Sequence, residues 1–169
     1  MNKDARIREA QNRYIKVLNR QPQLAQNTYK GTATIEDGFI CNFTQGEQSI
    51  VMDVSKVVGG DDTGPTPGFL SRASIAGCVS MGIKQAAVKE GLVIDSVSVD
   101  IEMDFAEGAS LGFGEDSAAP LETRFFIRID TDSPESEVVA LVDRALEKDT
   151  FFLALRDAQS VKININVID

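Results

Sequence analysis

The stretch from Thr66 to Gly91, TPGFLSRASIAGCVSMGIKQAAVKEG, constrains the fold more than any other part of the chain. It keeps helical periodicity with no strong breaker after its first turn, and it carries Cys78, one of two cysteines. Thr66 is placed to act as N-cap, with Pro67 at the first helical position, where a missing N–H costs nothing. Gly91 stands where a left-handed residue would end the helix, and Lys89 in the last turn faces the negative end of its dipole. Leu70, Ala73, Gly77, Met81 and Val88 fall on one side, interrupted by Lys84, while Ile75, Val79, Gly82 and Ala86 give a second apolar side. Small residues on several faces predict a helix wrapped by the rest of the protein. A buried helix carrying a thiol is therefore the feature to explain.

Composition narrows the chemistry. At 169 residues with 43% hydrophobic content, the chain is long enough for one domain with its own core. A net charge of −9 argues against nucleic-acid or anionic-membrane partners, which need a basic face. No apolar run reaches the length of a membrane span, and MNKDARIREA is too polar for a signal peptide, so a cytoplasmic location is expected. The chain has no histidine, which removes Ser-His-Asp and Cys-His activation and the commonest metal ligand. No metal or cofactor is expected. If the protein performs covalent or redox chemistry, cysteine is the agent.

Around the helix the periodicity alternates between elements. Asp4 to Asn19 reads as an amphipathic helix, with Ile7, Ala10, Tyr14, Val17 and Leu18 on one face. That face needs cover, either its own sheet or a second subunit. From Tyr29 a period of two begins. Strands at Tyr29–Ile35, Phe39–Thr44 and Ser49–Val54 are separated by turns at Glu36-Asp37-Gly38 and Gln45-Gly46-Glu47, giving a meander. Cys41 lies between Phe39 and Phe43 on one strand face and reads as a small buried hydrophobe. The turn-rich segment from Val58 to Pro67 lacks the Lys-Ser/Thr of a phosphate loop and is read as a positioning loop.

Two further strands follow Gly91. Val97, Val99, Ile101, Met103 and Phe105 alternate with polar residues, as do Thr123, Phe125, Ile127 and Ile129, with Phe126 the exception on the polar side. This is the pattern of an antiparallel sheet covered on one face. Ser133-Pro134-Glu135 opens a helix with the inner stripe Val138, Leu141, Val142 and Ala145. Phe151 to Leu155 predicts one or two helical turns. Val161, Ile163, Ile165 and Val167 predict a final strand. The class is α+β, helices packed on antiparallel sheets.

The motifs GGDDTGPTPGFLSRASIAGC, AAVKEGLVIDSVSVDIEMD and SPESEVVALVDRALEKDTFFLAL together resemble the signature of the OsmC/Ohr superfamily. The match runs from about Gly31 to Val167, and residues 1–27 resemble an N-terminal helical extension of a single OsmC-like domain spanning 1–169. The resemblance implies antiparallel sheets around a long central helix in an intertwined homodimer, with a peroxidatic cysteine matched by Cys78. It implies reduction of organic hydroperoxides, part of an oxidative-stress response. Its resolving cysteine falls at Asp149, with Thr150 where a proline would stand. Its glutamate falls at Gly68, or in the OsmC variant at Phe69, and neither is acidic. Its arginine comes from a loop early in the fold and is assigned to no particular residue here.

Peroxide reduction needs a thiolate, and an apolar site opposes one. Arg72 lies six residues before Cys78, which places it about 120° away around the helix and off its face. Two readings follow. In one, Cys78 is the catalytic residue of a thiol-dependent organic hydroperoxide reductase, recycled by an external thiol reductant. In the other, the homodimer binds a small hydrophobic molecule and Cys78 is structural. Nucleic acid and membrane are partners in neither.

Overall fold

The computed structural model describes residues 2–168, and the chain divides into two compact units, one up to Ser74 and one from Ile75 onward. In the first, α1 (Lys3–Arg20) starts at Asn2, whose side chain accepts the Ala5 N–H at 2.8 Å. A 3-10 turn, Pro22–Ala25, follows it. Strands β1 (Thr32–Ile35), β2 (Cys41–Gln45) and β3 (Gln48–Met52) form the antiparallel meander that their alternation predicts. The first strand is shorter than expected, because pairing with β2 begins only at Thr32 opposite Thr44. Gly38 and Gly46 take positive φ in the two turns, the conformation that glycine reaches without steric cost.

Past β3 the chain is gathered by one side chain. The Asp53 carboxylate accepts the Val54 N–H at 2.7 Å, the Asp61 N–H at 3.0 Å, the Thr63 N–H at 3.1 Å and the Thr63 hydroxyl at 2.9 Å. Gly60 fits because a Cβ there would lie 2.0 Å from the Val54 carbonyl oxygen. These bonds hold the backbone amides of a glycine-rich turn that would otherwise lack partners. The positioning role read from the segment is thus carried by Asp53.

The loop delivers α2 (Pro67–Glu90), whose first turn is capped as predicted: the Phe69 N–H donates to Thr66 Oγ1 at 3.1 Å. Gly91, at φ +85, closes the other end. In the second unit α2 buries Ile75, Val79, Ile83 and Ala87, an i, i+4 stripe. Val79, Ile83 and Ala87 pack with Ile94, with Leu141 and Ala145 of α3 (Glu135–Leu146), and with the inner face of β4 (Ser96–Asp104) and β5 (Glu122–Asp130). The cover is one-sided: Met81 is 68% exposed. Within one chain, α2 is less enclosed than its small residues predict.

The β4–β5 ribbon is antiparallel, in register from Ser96 opposite Asp130 to Asp104 opposite Glu122. Val97, Val99, Phe125, Ile127 and Ile129 face the core. On the wet face Arg124 bonds Glu102 and Asp104, Arg128 bonds Asp100, and Phe126 stands exposed as expected. Pro134, rather than Ser133, occupies the N-cap of α3. The short helix α4 (Thr150–Arg156) follows, with the Phe152 ring 5.9 Å from that of Phe125.

The last predicted strand does not form. Residues 158–168 carry no regular structure, and Val161, Ile163, Ile165 and Val167 are each at least 80% exposed. The alternation is present, but a strand also needs a neighbour for its backbone groups. Among the described residues no ladder includes this segment.

Candidate functional site

The second unit brings together two residues far apart in sequence. Cys78 sits half-buried on α2, one helical turn before Gly82, and Asp149 stands at the start of α4. Asp149 is 4% exposed, and its Oδ1 accepts the N–H groups of Phe151 at 3.1 Å and Phe152 at 2.8 Å. It therefore caps α4. Its other oxygen faces Gly82, where a Cβ would come within 3.1 Å. Glycine at 82 leaves the room that the carboxylate occupies.

The same carboxylate reaches the thiol. Burial pushes the Cys78 pKa up, and a side-chain hydrogen bond to Asp149 and the charge of that carboxylate push it further the same way. Backbone N–H groups of Phe151 and Thr150 act in the opposite direction and are outweighed. Burial withdraws water from the anion, and the Asp149 carboxylate favours the protonated thiol as an acceptor and, to a smaller extent, as a like charge. The balance of these effects favours the protonated thiol over the anion.

A cleft of about 490 Å³ opens beside this pair. Met81, Ala86 and Ala145 give it an apolar wall, and Lys89 and Lys148 line it as well. Arg144, also at the cleft, is engaged by Glu90 through bonds of 3.1 and 2.6 Å. Among the described residues, no cluster of three or more Cys, Asp or Glu is placed to hold a metal ion, and no helix is long and apolar enough to cross a membrane.

Of the positions singled out in the sequence, Cys78, Asp149 and Thr150 meet at this cleft. Gly68 and Phe69 occupy the first turn of α2 and supply no acid. Cys41 lies half-buried in β2, opposite Ile35 and Met52. The part played by Asp149 was not anticipated, although an aspartate directly before a short apolar helix is an N-cap signal. Asp53 was missed too, since an aspartate ending a strand gives no local hint of the loop amides it collects.

Comparison with known proteins agrees with this architecture. The sequence model described as OsmC-like protein matches residues 59–166, more than half of the chain. No curated protein matches. Among solved structures, an OsmC like protein from Mycoplasma pneumoniae superposes with a TM-score of 0.64 at 16% identity, covering 85% of this chain and 97% of that one. An organic hydroperoxide resistance protein OsmC from Legionella pneumophila gives 0.53 at 20% identity, covering 77% and 90%. One from Elizabethkingia anophelis gives 0.53 at 15%, covering 78% and 89%. At these identities the structures establish a shared fold of mixed α and β elements with antiparallel sheets. With the match over 59–166, the chain belongs to the OsmC-like protein family.

Proposed function

We propose that this protein is an OsmC-like homodimer that binds a small, partly apolar molecule in the cleft beside Cys78, with Cys78 kept as a neutral thiol rather than used as a peroxidatic one. The observation that carries this reading is the buried Asp149 carboxylate, which lines the cleft with Cys78 and pushes the thiol's pKa up, at the position where the family resemblance puts a second cysteine. A peroxidatic sulfur attacks as the anion, and Asp149 opposes that anion. A carboxylate also cannot close a disulfide, so a sulfenic acid formed at Cys78 would have no resolving partner at 149. The mixed lining of the cleft, with apolar Met81, Ala86 and Ala145 and cationic Lys89 and Lys148, suits a ligand with an apolar body.

The homodimer is supported by what one chain leaves uncovered. Met81 on α2 and the Val161–Val167 alternation are exposed apolar surface beyond the scattered single residues usual on a monomer. The rival reading is an organic hydroperoxide reductase, since solved relatives of this fold are named organic hydroperoxide resistance proteins.

Consumption of cumene hydroperoxide in the presence of dithiothreitol separates the two. Wild type and Cys78→Ser should consume it at the same rate. Turnover that depends on Cys78 would establish the reductase instead. Native mass spectrometry of the protein purified from cells should show a dimer with a retained small molecule, and an empty dimer would contradict the binding role.

A further inference from the structure

Charge is distributed very unevenly along this chain. Helix α1 carries Lys3, Arg6, Arg8, Arg13, Lys16 and Arg20 against Asp4 and Glu9, a net +4 within 18 residues. The remaining residues, with 11 basic and 24 acidic side chains, carry −13. The helix is amphipathic as well as basic. Ile7, Tyr14, Val17 and Leu18 lie on one side and Arg13, Lys16 and Arg20 on the other, with Arg6 at the edge beside Val17.

No residue of α1 is buried within its own chain, and Tyr14 is 59% exposed. An isolated helix of this length is marginal in water, and most helical stability in proteins comes from packing an apolar face. The single chain leaves Tyr14 and Val17 of this face exposed.

We propose that α1 is a basic arm that docks on the acidic body of a second copy of this chain, its apolar side seated and its arginines and lysines against carboxylates. The inference rests on the homodimer proposed above. Complementarity selects the occupant: the body carries the opposite charge, in excess. An anionic membrane would attract the arm but repel the −13 body behind it. The apolar side also lacks the Trp and Phe typical of an interfacial helix, and Gln11 interrupts it.

The test uses the full chain with a benzophenone amino acid at position 14 or 17, irradiated at about 50 mM and about 500 mM salt, where screening shortens from beyond 10 Å to a few ångströms. A covalent dimer is expected at low salt, with a yield lower by roughly fivefold at high salt. Arg6→Glu, Lys16→Glu and Arg20→Glu combined should reduce the yield to background. The milder set Arg6→Gln, Lys16→Gln and Arg20→Gln should fall between, with circular dichroism confirming that both remain folded. Sedimentation reports the dimer independently. A dimer that gives only intramolecular crosslinks, or crosslinks indifferent to salt and charge, overturns the arm and leaves the dimer standing. A monomer overturns both. Flotation of the protein with phosphatidylglycerol vesicles, without dimer crosslinks, overturns the arm in favour of a membrane.

Discussion

The buried Asp149 carboxylate lines the same cleft as Cys78 and pushes its pKa up while its Oδ1 caps α4, so one side chain bears on both the sulfur and the helix that follows α3. Asp149→Asn keeps the size and removes the charge. The variant should alkylate at Cys78 several-fold faster than wild type near neutral pH, read by peptide mass spectrometry so that Cys41 is scored separately. An unchanged rate would mean that the carboxylate does not control the sulfur.

Gly82 provides the companion test. Gly82→Ala places a methyl 3.1 Å from Asp149 Oδ2, closer than ordinary van der Waals contact. The carboxylate must give way by a few tenths of an ångström, and the overpacking cost of about 1–3 kcal/mol works against the roughly 1 kcal/mol that alanine gains over glycine inside a helix, for a net loss. Chemical denaturation measures the loss. A variant more stable than wild type by about 1 kcal/mol, the full helix gain, would show that the carboxylate has room to spare.

Asp53 contributes to the acid limb of the stability profile. Four hydrogen bonds from Val54, Asp61 and Thr63 hold its carboxyl below the ordinary 3.8. The folded state therefore binds fewer protons than the unfolded chain in that range, and stability falls as pH falls. This contribution is complete above about 3.8 and is lost as pH drops through the lower folded value. The melting-temperature gap between wild type and Asp53→Asn should be widest near neutral pH and narrow below about 3.8. A gap independent of pH would contradict the assignment.

The core of the second unit should respond to truncation. Leu141 is fully buried against Val79, Ile83 and Ala87, so Leu141→Ala should cost roughly 2–5 kcal/mol. A loss below about 1 kcal/mol in denaturant titration would mean that this cluster is not the core.

Local chemistry in the sequence was enough to read most elements. Thr66, Pro67 and Gly91 bound α2, Gly38 and Gly46 mark the turns, and the alternation from Val97 and from Thr123 fixes which face of the ribbon is wet. These signals are legible because each depends on one residue type in one backbone conformation. The strand expected at Val161–Val167 failed for the opposite reason: alternation supplies a face, while pairing depends on a neighbour that sequence does not name. The site was half legible. Cys78 and position 149 followed from the motifs, but the effect of a carboxylate on a thiol 71 positions away depends on the packing of α2 against α3 and α4. The stripe on α2 was also misjudged, with Met81 exposed and Ile83 buried, because small residues on several faces left the helix orientation undetermined.

The pH dependence of Cys78 alkylation in wild type and in Asp149→Asn, beside an unstructured cysteine peptide, tests the central claim most directly. The account predicts a wild-type midpoint above that of the peptide and a return toward it in the variant. A wild-type midpoint at or below that of the peptide would mean that the thiolate is stabilised despite Asp149, and the neutral-thiol reading would be contradicted.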